Sequence, residues 1–213
     1  MNKLTELANK YNSDKGDSYE LSNGFTIYYE PLFEPLKDSK VNLLEIGLAL
    51  HNKTSSLKMW YDYFSAANIY GFDIKSNLKK FENDRTKIYR GNQGNRIDLE
   101  NAIRDFGCRN FDIIIEDGSH FWWDQQMNLG YLFQFVSSGG LYIMEDVSIP
   151  NIKHPSVKND PTYHMIQEYF NRREIHSGVI LENEKKHLEE NLKEVSIGIS
   201  KNKDCLTVMF RKK

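Results

Sequence analysis

Cysteine is nearly missing from this chain. Only Cys108 and Cys205 are present among 213 residues, far apart and without a CxxC pair. That excludes a disulfide framework and a cysteine-rich zinc site, and it fits a reduced, cytoplasmic setting. Long apolar runs are missing too. None approaches the ~20 residues that a membrane-spanning helix needs. The opening stretch MNKLTELANKYNSDKG is polar and amphipathic and lacks the apolar core of a signal peptide. Neither sign of charge dominates: 28 Lys and Arg stand against 30 Asp and Glu, a net charge of −2. The basic residues are dispersed, so no nucleic-acid footprint is encoded. Proline is scarce, and three of the five prolines fall within SIPNIKHPSVKNDP (148–161). That stretch reads as a long loop, a feature of compact domains that is often functional. No repeat or low-complexity tract divides the chain. With 39% apolar and 27% charged residues it has the balance of a folded globular protein. The expectation is one domain over 1–213 with an N-terminal helical segment to about residue 38.

What is present is an alternation. VNLLEIG (41–47), NIYGFDI (68–74), TKIYRGN (86–92), FDIIIEDG (111–118) and GGLYIMED (139–146) read as strands. Several are almost continuously apolar, as strands buried on both faces of a parallel sheet are. Helical periodicity lies between them in TSSLKMWYDYF (54–64), RIDLENAIRDFG (96–107) and WDQQMNLGYLFQFV (123–136), then in 161–173 and 184–195. Strand–helix alternation predicts a parallel α/β sheet with helices on both faces. The last two strands, VSIGIS (195–200) and CLTVMFRK (205–212), are joined only by KNKD. A link that short forces an antiparallel hairpin.

Ligands of open α/β sheets bind beyond the carboxyl ends of the strands. Here those ends carry Glu45 and Gly47, then Asp73, then Asn92 and Gln93, then Glu116, Asp117 and His120, then Glu145 and Asp146. Four of the five end in carboxylates, each costly to bury without a partner. Gly47 suits a close backbone approach to a ligand, although no G-x-G-x-x-G follows it. Asp73 stands where an acidic side chain meets ribose hydroxyls, with capping of a following helix as its plainer role. Asn92 and Gln93 are neutral amides suited to an adenine edge, or simply part of a polar loop. Asp117 and Asp146 end two strands expected to be neighbours, ~5 Å apart. Like charges that close call for a cation or a shared proton, and oxygen donors suit Mg²⁺. Strand alternation turns Glu116 and Glu145 to the opposite face, leaving Glu145 as a supporting or third ligand. His120 can take a proton at neutral pH, or serve as a ligand itself. His51, in the first glycine turn, is the other nearby imidazole. The tryptophans of FWWDQQ pack a helix or wall a substrate pocket. FTIYYEPLF (25–33) suits either a core or a subunit interface, which leaves a homo-oligomer open.

LLEIG, SLKMWYDYF, IYGFDI, GNQ, FDIIIEDGSH and GGLYIMEDV together resemble the S-adenosylmethionine-dependent O-methyltransferases typified by the macrocin and mycinamicin enzymes. LANKYNSDKG and YYEPLFEPL resemble that family's N-terminal segment, so the likeness runs from about Leu7 to Val147. It implies a class I, Rossmann-like methyltransferase fold with seven strands, in which the C-terminal hairpin has its place. It implies that Glu45, Gly47 and Asp73 hold S-adenosylmethionine, with Gln93 near the adenine and Asn92 and Asp117 beside the cofactor. Asp117, Asp146 and Glu145 become candidate ligands of Mg²⁺ or another divalent cation. His120 becomes the general base toward a hydroxyl of a sugar, a glycan precursor or a glycosylated natural product. Two other readings use the same residues: an oxygenase or hydrolase metal site, and a non-catalytic S-adenosylmethionine-binding subunit.

Overall fold

The computed structural model describes residues 3–18, 22–48, 54–150 and 160–213. Residues 151–159, most of the stretch read from the sequence as a long loop, and His51 therefore lie outside the described residues. The chain forms a seven-stranded sheet in the order β3-β2-β1-β4-β5-β7-β6. Its strands are β1 (Asn42–Ile46), β2 (Asn68–Asp73), β3 (Thr86–Arg90), β4 (Phe111–Glu116), β5 (Val136–Ser148), β6 (Leu192–Ile199) and β7 (Cys205–Lys212). The first five run parallel, and β7 inserts antiparallel between β5 and β6. The strand order reverses between β1 and β4, the switch point at which open α/β sheets bind ligands. Sheet and hairpin are those of the class I methyltransferase fold.

Alternating side chains along each strand feed two cores. On one face Leu43, Ile113, Ile115 and Ile143 pack under α1 (Lys3–Tyr11), α2 (Thr26–Phe33) and α3 (Ser55–Tyr63). Phe25, Tyr29 and Phe33 are fully buried there, with Phe33 against both Trp60 and Phe64. FTIYYEPLF is thus mainly core, with Ile27 its exposed large residue. On the other face Leu44, Ile46, Ile114, Tyr142 and Met144 meet α4 (Arg96–Phe106), α5 (Trp122–Leu132), α6 (Pro161–Arg172) and α7 (Glu182–Asn191). Burying each such side chain contributes about 1.5–3 kcal/mol.

The helix ends follow local chemistry. Asn95 accepts from the Ile97 N–H at the start of α4, and Gly107 closes that helix in the left-handed region. Asp160 accepts from the N–H groups of Thr162 and Tyr163, with Pro161 following as the first residue of α6. At the start of α3 Thr54 forms no capping bond, and its hydroxyl is buried without a partner. Ser56 donates to Glu45 instead, at 2.9 Å. The last predicted helix is too long. α7 stops at Asn191 and the chain enters β6 at Leu192, because Leu192 and Val195 are needed in the core.

Candidate active site

Two loops cross at the switch point. Gly47 N donates to Phe72 O at 2.8 Å, and Asp117 N donates to Ile46 O at 2.9 Å. Gly47 has φ of +83°, and a Cβ there would lie 1.9 Å from the Asp117 carbonyl oxygen. Glycine is required at this point by both torsion and space. Asp73 ends β2, and its two carboxylate oxygens accept from the N–H groups of Leu48 and Lys75, each at 2.8 Å. It therefore ties the turn after β1 to the turn after β2 while lining the large cavity. No α-helix starts at Asp73.

That cavity measures about 760 Å³. Its wall includes Gly47, Asp73, Asn92, Gln93, Asp117 and His120, all expected from the sequence, together with Asp146. Residues Asn12, Ser13, Asp14 and Asn23 of the segment between α1 and α2 also line it. Gln93 faces the cavity with both ends of its amide already engaged. Its Nε2 donates to Glu116 at 2.7 Å, and its Oε1 accepts from Ser119 N at 3.0 Å. It thereby fixes the turn that carries His120. Asn92 Oδ1 accepts from Gly94 N at 3.0 Å.

The strand register corrects one expectation. β4 pairs with β5 so that Glu116 stands opposite Met144. Asp117 consequently faces Glu145, and the two carboxylates lie on the same side of the sheet. Glu116 alone takes the opposite face, where burial pushes its carboxyl up to about 7. Asp146 reaches the site by another route. The β5–β7 ladder slips between Met144 and Val147, and Asp146 takes φ of +55°. This bulge turns its carboxylate back over the strand end.

Glu45, Asp117 and Glu145 meet around a residue that the strand ends did not reveal. Lys15 is completely buried, and its Nζ binds Asp117 and lies 3.0 Å from Glu145, 3.7 Å from Glu45 and 4.0 Å from Asp14. Burial works to lower the Lys15 pKa, yet the surrounding carboxylates hold it well above the usual lysine value. Burial raises all three acids: Glu45 upward, Asp117 well upward and Glu145 to about 8. Glu145 gives its Oε2 to the ammonium, its Oε1 is buried without a hydrogen-bond partner, and like Glu45 it is shut off from solvent.

The group that faces outward is Asp117, His120 and Asp146. Each offers one ligand atom, and the three atoms lie within 4.8 Å of one another. His120 Nε2 is 3.9 Å from Asp117 Oδ1 and 3.6 Å from Asp146 Oδ2. His120 has φ of +56° and is 38% exposed, so its ring reaches acceptors entering from solvent. The two carboxylate oxygens suit a divalent cation, and the imidazole nitrogen beside them suits either a third donor or a proton acceptor.

Besides Lys15, strand-end reasoning missed Asn23 and Cys205. Asn23 Nδ2 donates to Asp146 Oδ1 at 2.9 Å, and Cys205 Sγ donates to the same oxygen at 3.1 Å. The only signal for Lys15 was the resemblance of LANKYNSDKG, which contains it, to the family's N-terminal segment, and Asn23 lies outside that motif. Cys205 is placed by β7, which inserts beside β5.

No family model matches the chain. It is 33% identical over 150 residues to the mycinamicin VI 2''-O-methyltransferase of Micromonospora griseorubida, covering 68% of this chain and 36% of that one. It is 35% identical over 150 residues, with the same coverage, to a tetracenomycin rhamnosyl 3'-O-methyltransferase of Streptomyces olivaceus. The chain therefore spans 36% of the length of these curated relatives. In three dimensions it resembles the MycE methyltransferase of mycinamicin biosynthesis, solved with Mg, S-adenosylhomocysteine and mycinamicin VI, with a TM-score of 0.77 and 22% identity. That match covers 99% of this chain and 54% of the other, and it shows a common fold. The chain belongs to the family of S-adenosylmethionine-dependent O-methyltransferases that includes these macrolide and tetracenomycin sugar O-methyltransferases.

Proposed function

We propose that this protein transfers the methyl group of S-adenosylmethionine to a hydroxyl of a sugar carried on a small molecule, with a divalent cation such as Mg²⁺ in the site. The observation that carries the reading is the meeting of Asp117, His120 and Asp146 in a cavity whose wall also holds Asp73 and Gly47. The family relatives act on mycinamicin VI and on rhamnosyl-tetracenomycin, which supports a sugar hydroxyl as the acceptor.

The cofactor supplies an electrophilic methyl group, and a divalent cation makes a nearby hydroxyl more acidic. The chain's own residues do the rest. Asp73 accepts from ribose hydroxyls, because each of its oxygens keeps a second acceptor site after binding one backbone N–H. Gly47 lets the backbone lie flat against the methionine portion. Asn92 presents its amide to the adenine edge, its Oδ1 keeping a second acceptor site beside Gly94 N, whereas both ends of the Gln93 amide are engaged by Glu116 and Ser119. Glu45 acts from behind the wall, through Lys15 and Ser56. Asp117 and Asp146 hold the cation, and Glu145 sets the charge behind them through Lys15. His120 Nε2, exposed at the mouth, accepts the proton of the attacking hydroxyl as general base. Holding donor and acceptor in line is worth about 7–11 kcal/mol at best.

The test is calorimetric titration of S-adenosylhomocysteine with and without Mg²⁺, using wild type and Asp73→Ala. Micromolar binding, roughly −8 kcal/mol, that is lost in Asp73→Ala supports the reading and justifies screening glycosylated acceptors. No binding in either metal state removes it. Binding without methyl transfer to any sugar-bearing acceptor would favour a non-catalytic subunit.

A further inference from the structure

The two aspartates of the outward-facing cluster are held in the same way. Asp117 gives its Oδ2 to Lys15 Nζ and turns its Oδ1 toward His120. Asp146 gives its Oδ1 to Asn23 Nδ2 and turns its Oδ2 toward His120. In each, one oxygen is clamped by a donor from the N-terminal segment and the other is presented to the shared centre. The clamping donors are not independent. Asn23 N donates to Asp14 O at 2.6 Å, Gly24 N donates to Gly16 O at 2.8 Å, and Thr26 N donates to Lys15 O at 3.0 Å. Residues 13–16 and 23–26 thus form the two sides of one backbone closure, with Lys15 on one side and Asn23 on the other. Lys201 N, in the turn before β7, donates to Asn23 O at 2.7 Å and ties this closure to the C-terminal hairpin.

We propose that Lys15 and Asn23 are positioning residues for the divalent-cation site, and that the closure carrying them fixes which oxygens of Asp117 and Asp146 the cation meets. This rests on the cation reading above. Lys15 does a second job that an amide could not. It places one positive charge among Glu45, Asp117 and Glu145, within 3.7 Å of an oxygen of each. Groups that orient metal ligands in this manner typically change affinity 10–100-fold when removed. Asn23 is partly exposed, so its truncation leaves the core intact.

The experiment is Mn²⁺ binding followed by electron paramagnetic resonance on the full chain, for wild type, Asn23→Ala, Lys15→Met and Asp146→Ala. Melting temperature and S-adenosylhomocysteine affinity in a chelator are measured beside it. The expected result is wild-type binding, roughly 10-fold weaker binding in Asn23→Ala at an unchanged melting temperature, and no binding in Asp146→Ala. Lys15→Met weakens Mn²⁺ binding further where it folds; where it does not fold, Asn23→Ala decides. Wild-type affinity retained in Asn23→Ala, while Asp146→Ala has lost it, overturns the positioning role and leaves the cation site standing. No Mn²⁺ bound by wild type overturns both together.

Discussion

The residue most tightly specified by its surroundings is Gly47. Its φ of +83° lies where a side chain is strained, and a Cβ would overlap the Asp117 carbonyl at 1.9 Å. The obstacle is backbone, so no rotamer change relieves it. Gly47→Ala is expected to destabilise the fold by about 1–3 kcal/mol from torsional strain alone, with displacement of the loop that carries Asp117. A urea denaturation curve reads this directly, as a lower midpoint at unchanged slope; an unchanged midpoint would mean that the two loops do not touch as described. Gly47 was legible because a glycine that ends an apolar strand marks a sharp turn with little room for a side chain. So were Asp73, Asp117, His120 and Asp146, polar residues at the mouths of buried strands. Lys15 and Asn23 were not. Nothing in NSDKGDSYELSN marks a lysine as buried, since its burial follows from carboxylates about 30, 100 and 130 positions away that only the fold brings together.

At the scale of elements, α7 gives a pH signature. His187 lies edge-on to Phe133, and its Nε2 is buried without a partner. Burial and then the nearby Lys212 hold its pKa below the ordinary 6.5, with Glu190 opposing weakly. The unfolded chain therefore takes up this proton first. The contribution to stability is complete above about pH 6.5 and is lost as pH falls through the depressed folded value. Wild type should lose more melting temperature between pH 7.5 and pH 5 than His187→Gln does, which a paired thermal series would show. Parallel curves would mean that the imidazole is free to charge in the folded state. The elements themselves were largely readable, because continuous apolar runs and the short KNKD link dictate a parallel sheet closed by a hairpin. Boundaries and local register were less so. The apolar pattern ends β5 near residue 146, short of its extension to Ser148, and strand spacing alone sets Asp146 opposite Asp117. A bulge adds one residue to one strand without any composition signal, and here that residue carries the site's second aspartate.

At the scale of the molecule, the sheet places Gly47, Asp73, Asn92, Asp117 and Asp146 around one cavity of about 760 Å³, and every one of these side chains or turns comes from this chain. The relatives are much longer, and these 213 residues carry all the side chains proposed above to hold the nucleoside. Binding of S-adenosylhomocysteine then has to appear as stability of this chain alone. A ligand that binds only the folded state stabilises it by about 2.7 kcal/mol at 100 times its dissociation constant. For a domain of this size each kcal/mol raises the melting temperature by roughly 2–4 °C. The expected rise is therefore on the order of 5–10 °C at that concentration, and Asp73→Ala abolishes it. The rise persists in a chelator, because Asp73 and Asn92 stand at the ends of β2 and β3, whereas Asp117, His120 and Asp146 stand at the ends of β4 and β5. A melting temperature that ignores S-adenosylhomocysteine would show that the cavity is not a nucleoside site. A rise that vanishes with chelation would instead show that the cation and the cofactor share ligands, with Asp117 the residue common to both.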